Sequence, residues 1–377
     1  MIYLDNAATT FPKPPAVLSA MEEAIRMELG NPGRSGHAFA RRSDDGVASA
    51  RQGLARLFHA EESSRIILTM SGTDSLNIAL KGLLEPGDHV VTGELEHNSV
   101  LRPLAGLGVE CSVISFDEAG YYRVDDIARS IRSNTRLVAL THGSNVLGTR
   151  QPIDQIGAIC RDHRILLLVD AAQTAGCVPI DVQEMKIDLL TAPGHKSLFG
   201  PMGTGLLYVG PRATLRPWRE GGTGGDSLSK RQPIQLPTSL EAGTPNVPGL
   251  VGLAAGVAFV DSLGWAEIRQ REDEWRERLV RGLSEIPRVE LLARGRPEAT
   301  LPIVSFRVKG FASQDVAGIL DSSFGIAVRA GLHCAPLVHE KLGSAPEGAV
   351  RVSGSVLSTL DDVDAILHAM RALVNEG

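Results

Sequence analysis

The feature that most limits what this chain can fold into is the stretch from Arg65 to Asp170, where short apolar runs alternate with amphipathic ones. The pattern predicts strands over 65–70, 88–92, 109–116, 136–142 and 165–170, with helices over 71–84, 98–107, 124–133 and 153–163 between them. Ile165-Leu166-Leu167-Leu168-Val169-Asp170 is apolar at every position but the last. A strand with one face in water alternates in polarity, whereas a strand covered on both faces does not. Strands that alternate with helices join into a mostly parallel sheet through right-handed crossovers. An α/β architecture follows, and ligands of such sheets gather at the strand C-termini.

The flanks read differently. Residues 1–13 form an extended arm with Ala7-Ala8-Thr9-Thr10, small residues suited to line a site. Pro12, Pro14 and Pro15 end the arm and open a helix over 16–27. A turn-rich loop, Asn31-Pro32-Gly33-Arg34-Ser35-Gly36-His37, precedes a helix over 39–58. Beyond the alternating region, Gly203-Thr204-Gly205-Leu206-Leu207-Tyr208-Val209 reads as a strand. Gly221-Gly222-Thr223-Gly224-Gly225 opens a long irregular loop that reaches Pro248. One helical stretch over 250–286 leads to short strands at 289–292, 303–308 and 326–329 and helices at 314–320 and 360–374. The expected division is a large domain over 14–249 and a small α+β domain made of 250–377 with the arm 1–13.

A chain of 377 residues can hold two such domains and a large core. The net charge is −6, without a long run of one sign, which argues against a nucleic-acid or membrane-surface partner. No run approaches the roughly 18 apolar residues of a membrane span. Met1-Ile2-Tyr3-Leu4-Asp5-Asn6 lacks the basic and apolar regions of a signal peptide. The four cysteines show no metal-ligand spacing, so neither a metal site nor a disulfide framework is expected, and reduced thiols in a cytoplasmic enzyme is the simplest reading. Cys111 lies in an apolar run and Cys160 in a helical pattern, and both read as core.

The chemistry concentrates at predicted strand ends. Gly194-His195-Lys196 is a turn between apolar Leu189-Leu190 and the strand over 203–209. A lysine between glycines can approach a flat cofactor closely. Together with the strand-end Asp170 it suits pyridoxal phosphate, the lysine forming the imine and the carboxylate holding the ring nitrogen protonated. On this pair alone, a surface lysine and a capping aspartate read equally well. Ser71-Gly72-Thr73 opens a helix, and exposed N–H groups there suit a phosphate, although the same residues make a plain capped turn. His97 can stack on an aromatic ring, or sit in a solvated loop with Asn98 as the helix cap. Asn145 and Gln173 follow the next strand ends with amides that can donate to a phenolate oxygen or a carboxylate. Four successive strand ends that fit one ring are a far rarer coincidence than any single match.

With these residues in view, the chain resembles the pyridoxal-phosphate enzymes of the class V aminotransferase fold, specifically the cysteine desulfurase and selenocysteine lyase family. The resemblance runs nearly end to end, through Tyr3–Thr10, Glu96-His97-Asn98-Ser99, Ser144–Gly148, Val169–Gln173, Gly194-His195-Lys196, Leu240–Asn246 and Arg329–Pro336. It implies an aspartate-aminotransferase-like fold with a large, mostly parallel-sheet domain and a smaller α+β domain. It further implies that Lys196 is the Schiff-base lysine, that Asp170 pairs with the ring nitrogen, and that His97 stacks on the ring. Gln173 and Asn145 would contact the phenolate side, and Gly72, Thr73 and His195 the phosphate. Thr244 would reach the phosphate of a neighbouring subunit, which implies a C2 homodimer. Arg351 would bind the substrate carboxylate, beside Asn145 and Ala8, and Cys334 would accept sulfur. A turn, with His333 and Arg329 near to lower its pKa, suits a reactive thiol at Cys334; Cys177 is the alternative thiol. Three places depart from the family: Pro193 stands where a serine is common ahead of the lysine, Leu332 where a histidine is common, and Val356-Leu357-Ser358-Thr359 where an aromatic-Asn pair is common.

The activity implied is conversion of L-cysteine to L-alanine with the sulfur carried as a persulfide, a small amino acid as substrate and a sulfur-acceptor protein as partner. Two alternatives stay open at this point. One is a lyase for C–S or C–Se bonds of selenocysteine or a cysteine conjugate, without covalent sulfur capture. The other is a non-catalytic scaffold of the same fold, against which the presence of both Lys196 and Asp170 speaks.

Overall fold

In the computed structural model, which describes residues 1–27, 30–33, 36–224 and 228–376, the chain opens with β1 (Ile2–Tyr3), α1 (Pro15–Arg26) and α2 (Ala38–Leu57). Arg34 and Ser35 of the predicted loop, and Gly225 of the glycine run, lie outside the described residues. The alternating region then follows as β2 (Ile66–Thr69), α3 (Gly72–Leu83), β3 (His89–Gly93), α4 (Asn98–Leu107), β4 (Glu110–Ile114) and α5 (Val124–Ser130). It continues with β5 (Thr135–Thr141), α6 (Ile153–Asp162), β6 (Leu166–Asp170), β7 (Leu189–Pro193) and β8 (Gly205–Val209).

These strands form a seven-stranded sheet in the order β2-β8-β7-β6-β5-β3-β4. Neighbours pair parallel from β4 across to β7, and β8 runs antiparallel to both β7 and β2. The connection from Pro193 to Gly205 holds no crossover helix, so β8 has to return antiparallel, and Lys196 sits on that return. The sequence reading gave Leu189-Leu190 only as apolar residues before a turn. The structure makes 189–193 a fully buried central strand, whose terminal proline lowers its strand signal. Leu76, Ile78, Leu80, Val100 and Leu104 cover one face of the sheet, and Ala50, Leu54, Ile153, Ile156, Leu253 and Val257 the other. Each buried Leu or Ile stabilises the fold by about 1.5–3 kcal/mol. This double cover explains the unbroken apolar run of β6.

Cys111 departs from expectation. It lies on β4, the edge strand that pairs only with β3, and it is exposed rather than core. Cys160 is buried, as its helical pattern predicts.

The predicted helix over 250–286 is two helices, α7 (Val247–Leu263) and α8 (Trp265–Ser284), bent by 85°. The break falls at Gly264, whose φ of +75° suits glycine far better than other residues. Next come β9 (Val289–Leu291), β10 (Ile303–Val308), α9 (Ser313–Phe324), β11 (Ile326–Ala327), β12 (Arg329–Gly331), α10 (Pro336–Lys341), β13 (Ala349–Ser353) and α11 (Leu360–Glu376). The strand expected over 326–329 is divided. β11 pairs parallel with β1, whereas β12 joins an antiparallel sheet ordered β12-β13-β10-β9. Leu4 of the arm packs in the same core as Trp275, Leu279, Phe306, Val350 and Ile366. Among the described residues, no single helix is long and apolar enough to cross a membrane.

Candidate active site

A cleft of about 230 Å³ opens where the C-terminal ends of β5, β6 and β7 meet the N-termini of α3 and α4, the arm, and the antiparallel sheet. Gly72, Thr73, His97, Asn145, Asp170, Gln173, His195, Lys196, Cys334, Arg351 and Ala8 all line it. Of the sequence-predicted site residues, Thr244 does not. It is exposed on the 221–248 loop and lines another cavity with Met70, Gly203 and Glu241.

At the α3 end, Ser71 caps the helix, its hydroxyl accepting from the Asp74 N–H at 3.1 Å. The Thr73 hydroxyl lies 2.8 Å from that of Ser99. A Cβ on Gly72 would come within 3.2 Å of Pro193, so glycine lets the helix start lie against the end of β7. The Lys196 turn is pinned by the arm. The His195 carbonyl accepts from Lys13 Nζ at 2.7 Å and from the Thr9 and Thr10 hydroxyls at 3.1 and 3.2 Å. His195 Nδ1 is buried and has no hydrogen-bond partner among the described residues.

Burial dominates the electrostatics. It lowers the Lys196 ammonium to about 8, with Asp170 opposing and Arg351 and Arg329 adding to the shift. Burial raises the Asp170 carboxyl, against a hydrogen bond from the Ala172 N–H at 2.9 Å and the charge of Lys196. His97 and His195 are lowered to about 4, by burial first and Lys196 next, so both rings are neutral at pH 7. His97, not Asn98, caps α4, with Nδ1 accepting from the Ser99 N–H at 3.0 Å. This bond fixes the ring orientation. Gln173 donates to the Ala7 carbonyl at 3.1 Å.

Arg351, on β13, is 2% exposed. Its guanidinium donates to Asp5 Oδ1 at 2.7 Å and to the Asn145 carbonyl at 3.0 Å, and Nε has no partner among the described residues. The Asn145 amide in turn donates to the His333 carbonyl at 2.6 Å, and the Asn98 N–H to the Cys334 carbonyl at 2.8 Å. These bonds hold His333 and Cys334 at φ of 51° and 58°, a left-handed pair that costs on the order of 1–3 kcal/mol per residue. Cys334 is exposed, whereas Cys177 is buried and its thiol is pushed far up by that burial. The expected cationic His333 is absent: burial and Arg351 lower it to about 2, so it carries no charge beside Cys334.

Sequence reasoning missed one residue that lines the cleft and the burial of a carboxylate next to His97. Arg329 lines the cleft from β12, yet it was considered only as a neighbour of Cys334. Glu96 is 0% exposed, accepts from the Thr141 N–H at 3.0 Å and the Tyr122 hydroxyl at 3.2 Å, and is driven well above the usual carboxylate range by burial. A lone carboxylate beside a histidine gives no local signal of such burial.

A family model described as Aminotransferase class-V matches residues 2–366. A probable cysteine desulfurase of Halalkalibacterium halodurans is 33% identical, over 98% of this chain and 92% of that protein. A probable cysteine desulfurase of Methanothermobacter thermautotrophicus is 34% identical, over 100% of this chain and 95% of that protein. The solved apo structure of the cysteine desulfurase of Thermococcus onnurineus NA1 superposes with a TM-score of 0.94 at 33% identity, covering 100% of this chain and 95% of that one.

Proposed function

The chain belongs to the aminotransferase class-V family, and from that premise we propose that it is a pyridoxal-phosphate-dependent cysteine desulfurase. It converts L-cysteine to L-alanine and takes the sulfur onto its own Cys334. One observation carries this reading: an amine, a buried carboxylate, a helix N-terminus, a buried arginine and an exposed thiol line a single cleft.

The residues fit the cofactor. The unpartnered Nδ1 of His195 and the α3 N-terminus with Gly72 and Thr73 suit a phosphate. Asp170 suits a ring nitrogen, the neutral His97 ring a stacking face, and the Gln173 and Asn145 amides a phenolate oxygen. When bound, pyridoxal phosphate supplies a ring that withdraws electrons from the substrate carbons. The chain's own residues do the rest. Arg351, held by Asp5 and Asn145, binds the substrate carboxylate, with Ala8 leaving room beside it. Lys196, lowered toward neutrality, would hold the cofactor through its amine and supplies a group that takes up and returns a proton. Cys334 Sγ bonds to the substrate sulfur as the Cβ–S bond breaks. The electron pair stays with carbon, and a proton delivered there completes alanine.

The working unit is a C2 homodimer in which Thr244 serves the partner's phosphate. Its exposure, its place in a cavity separate from the cleft, and the exposed Met70 that lines the same cavity support this. The division into 14–249 and 250–377 with the arm is supported by the β1–β11 pairing and by Leu4 in the small core. Four free thiols suit a reducing cytoplasm, and the exposure of Cys334 suits hand-over to a sulfur-acceptor protein.

The test is Cys334→Ala with L-cysteine. Alanine and sulfide formation should fall at least 100-fold while cofactor content and L-cysteine binding persist. A variant that still desulfurates L-cysteine at the parent rate would replace this reading with lysis without covalent sulfur capture.

A further inference from the structure

Lys13 is a cation that the reaction described above does not use. It stands half-buried at the end of the arm, and its Nζ donates to the Thr10 hydroxyl and to the His195 carbonyl, both at 2.7 Å. Burial lowers its ammonium to about 8, and among the described residues no carboxylate pairs with it. Taking a charge out of water without a counter-ion is costly, so a lysine is a poor choice where only apolar cover is needed. What this one touches is the turn that carries Lys196.

The arm holds that turn through backbone carbonyls. The His195 carbonyl accepts from the Thr10 N–H at 3.2 Å and the Thr9 hydroxyl at 3.1 Å as well as from Lys13. Thr10 is 2% exposed, and its hydroxyl lies 2.9 Å from the Lys196 carbonyl and 3.2 Å from that of His195. A hydroxyl has one proton and gives it to one of these carbonyls while it accepts from Lys13. The bond from the ammonium is charge-assisted and stronger than the neutral bonds beside it. The first half of the arm is anchored elsewhere. The Asn6 N–H donates to the Ser353 carbonyl at 3.2 Å, the Ala7 N–H donates to the Ser353 hydroxyl at 2.9 Å, and Asp5 holds Arg351. Residues 9–13 thus serve the amine, and residues 5–7 the arginine.

We propose that Lys13 is a positioning residue for Lys196: its ammonium draws the His195 carbonyl onto the arm and, with Thr10, sets where the Lys196 amine and the His195 ring stand in the cleft. The proposal rests on the pyridoxal-phosphate reading. Because the two halves of the arm are anchored separately, loss of Lys13 disturbs the amine and leaves Arg351 in place. Lys13 is not among the residues that line the cleft, so its effect reaches the reacting amine through the turn and does not require a phosphate. Its charge also acts on the ring: burial first, then Lys196 and Lys13, hold His195 at about 4.

The test uses the full chain, with and without cofactor, and its Lys13→Met, Thr10→Val and Thr10→Ser variants. Covalent capture at Lys196 is timed in apoprotein with pyridoxal phosphate and with pyridoxal, by borohydride trapping. Lys13→Met should slow capture of both aldehydes by about 10- to 100-fold, the scale of a displacement of up to an ångström at a reacting group. In the holoenzyme it should lower kcat for L-cysteine and leave KM unchanged. Thr10→Val should slow capture in the same way, and Thr10→Ser, which keeps the hydroxyl, should restore the parent rate. In ¹⁵N spectra of labelled histidine, Lys13→Met should raise the pKa of the His195 ring. Parent-like capture by Lys13→Met would overturn the assignment. So would a loss confined to pyridoxal phosphate, which would make Lys13 a counter-charge for the phosphate instead. If Lys13→Met does not fold, the Thr10 pair decides, and equal rates in Thr10→Val and Thr10→Ser would remove the hydrogen bond from the account. A parent protein that captures neither aldehyde would overturn the cofactor reading, and an unmoved His195 pKa in Lys13→Met would then show separately that the ammonium does not act on the turn.

Discussion

Lys196 shows how far burial alone sets the behaviour of a single group. Its ammonium is lowered to about 8, so at pH 7 a useful fraction is already the free amine. Below 8 the amine is protonated and cannot attack an aldehyde; above 8 it is free. The rate of covalent pyridoxal phosphate capture by apoprotein should therefore rise about tenfold per pH unit from 6 toward 8 and level off beyond. Stopped-flow absorbance after mixing would show this, and a profile still climbing at pH 10 would mean an unshifted lysine. Lys196→Ala should retain no cofactor after borohydride treatment and denaturation. Cys334 depends on context in another way, since its exposure follows from the left-handed pair it forms with His333 and from the bonds of Asn98 and Asn145 that hold it.

At the scale of elements, α8 carries an unusual cost. Glu272 is 5% exposed, and burial raises its carboxyl to about 8, with the Cys177 thiol and Arg269 opposing the shift. Its folded pKa is above the unfolded value, so between about 4.5 and 8 the folded chain holds a proton that the unfolded chain has lost. Stability then falls with rising pH across that window, by up to about 1.4 kcal/mol per unit, and levels off above 8. Glu272→Gln keeps the shape without the proton. It should be more stable than the parent by roughly 3 kcal/mol at pH 7 and match it near pH 4. Urea unfolding of both proteins from pH 4 to 9 measures this, and a constant difference would show that Glu272 is ionised in the fold. The β7–β8 return and the Gly264 break are element-scale facts of the same kind: each follows from local backbone geometry, and each turns the chain where a periodic pattern would continue.

For the whole molecule, the exposed Thr244 and the exposed Met70 in the same cavity carry the proposal of a homodimer. Sedimentation at micromolar concentration should give twice the chain mass. Thr244→Asp should weaken cofactor binding by about tenfold or more without unfolding the chain, because a carboxylate then faces the partner's phosphate. A monomer with full cofactor occupancy, or a Thr244→Asp variant that binds cofactor like the parent, would remove the shared site.

Local sequence determined a good deal by itself. The apolar run ending at Asp170 required a strand covered on both faces, and the alternation around it required parallel crossovers, because side-chain polarity has to match burial residue by residue. The glycines and turn residues around Lys196, and the motif order from Tyr3 to Pro336, brought most of the cleft within reach of reading, since each group sits at the end of its own element. Only the tertiary structure decided the rest. β7 and β13 carry too little periodicity to announce themselves, and their strand character comes from the neighbours they pair with. Cys111 is exposed because its strand lies at an edge, a property of sheet order that no local pattern contains. The upward shift of the Glu96 carboxyl, the lowered ring of His333 and the hydrogen-bonded run from His333 through His339 to Ser344 depend on how much surrounding chain removes water from each group, and that is fixed only when distant segments pack together.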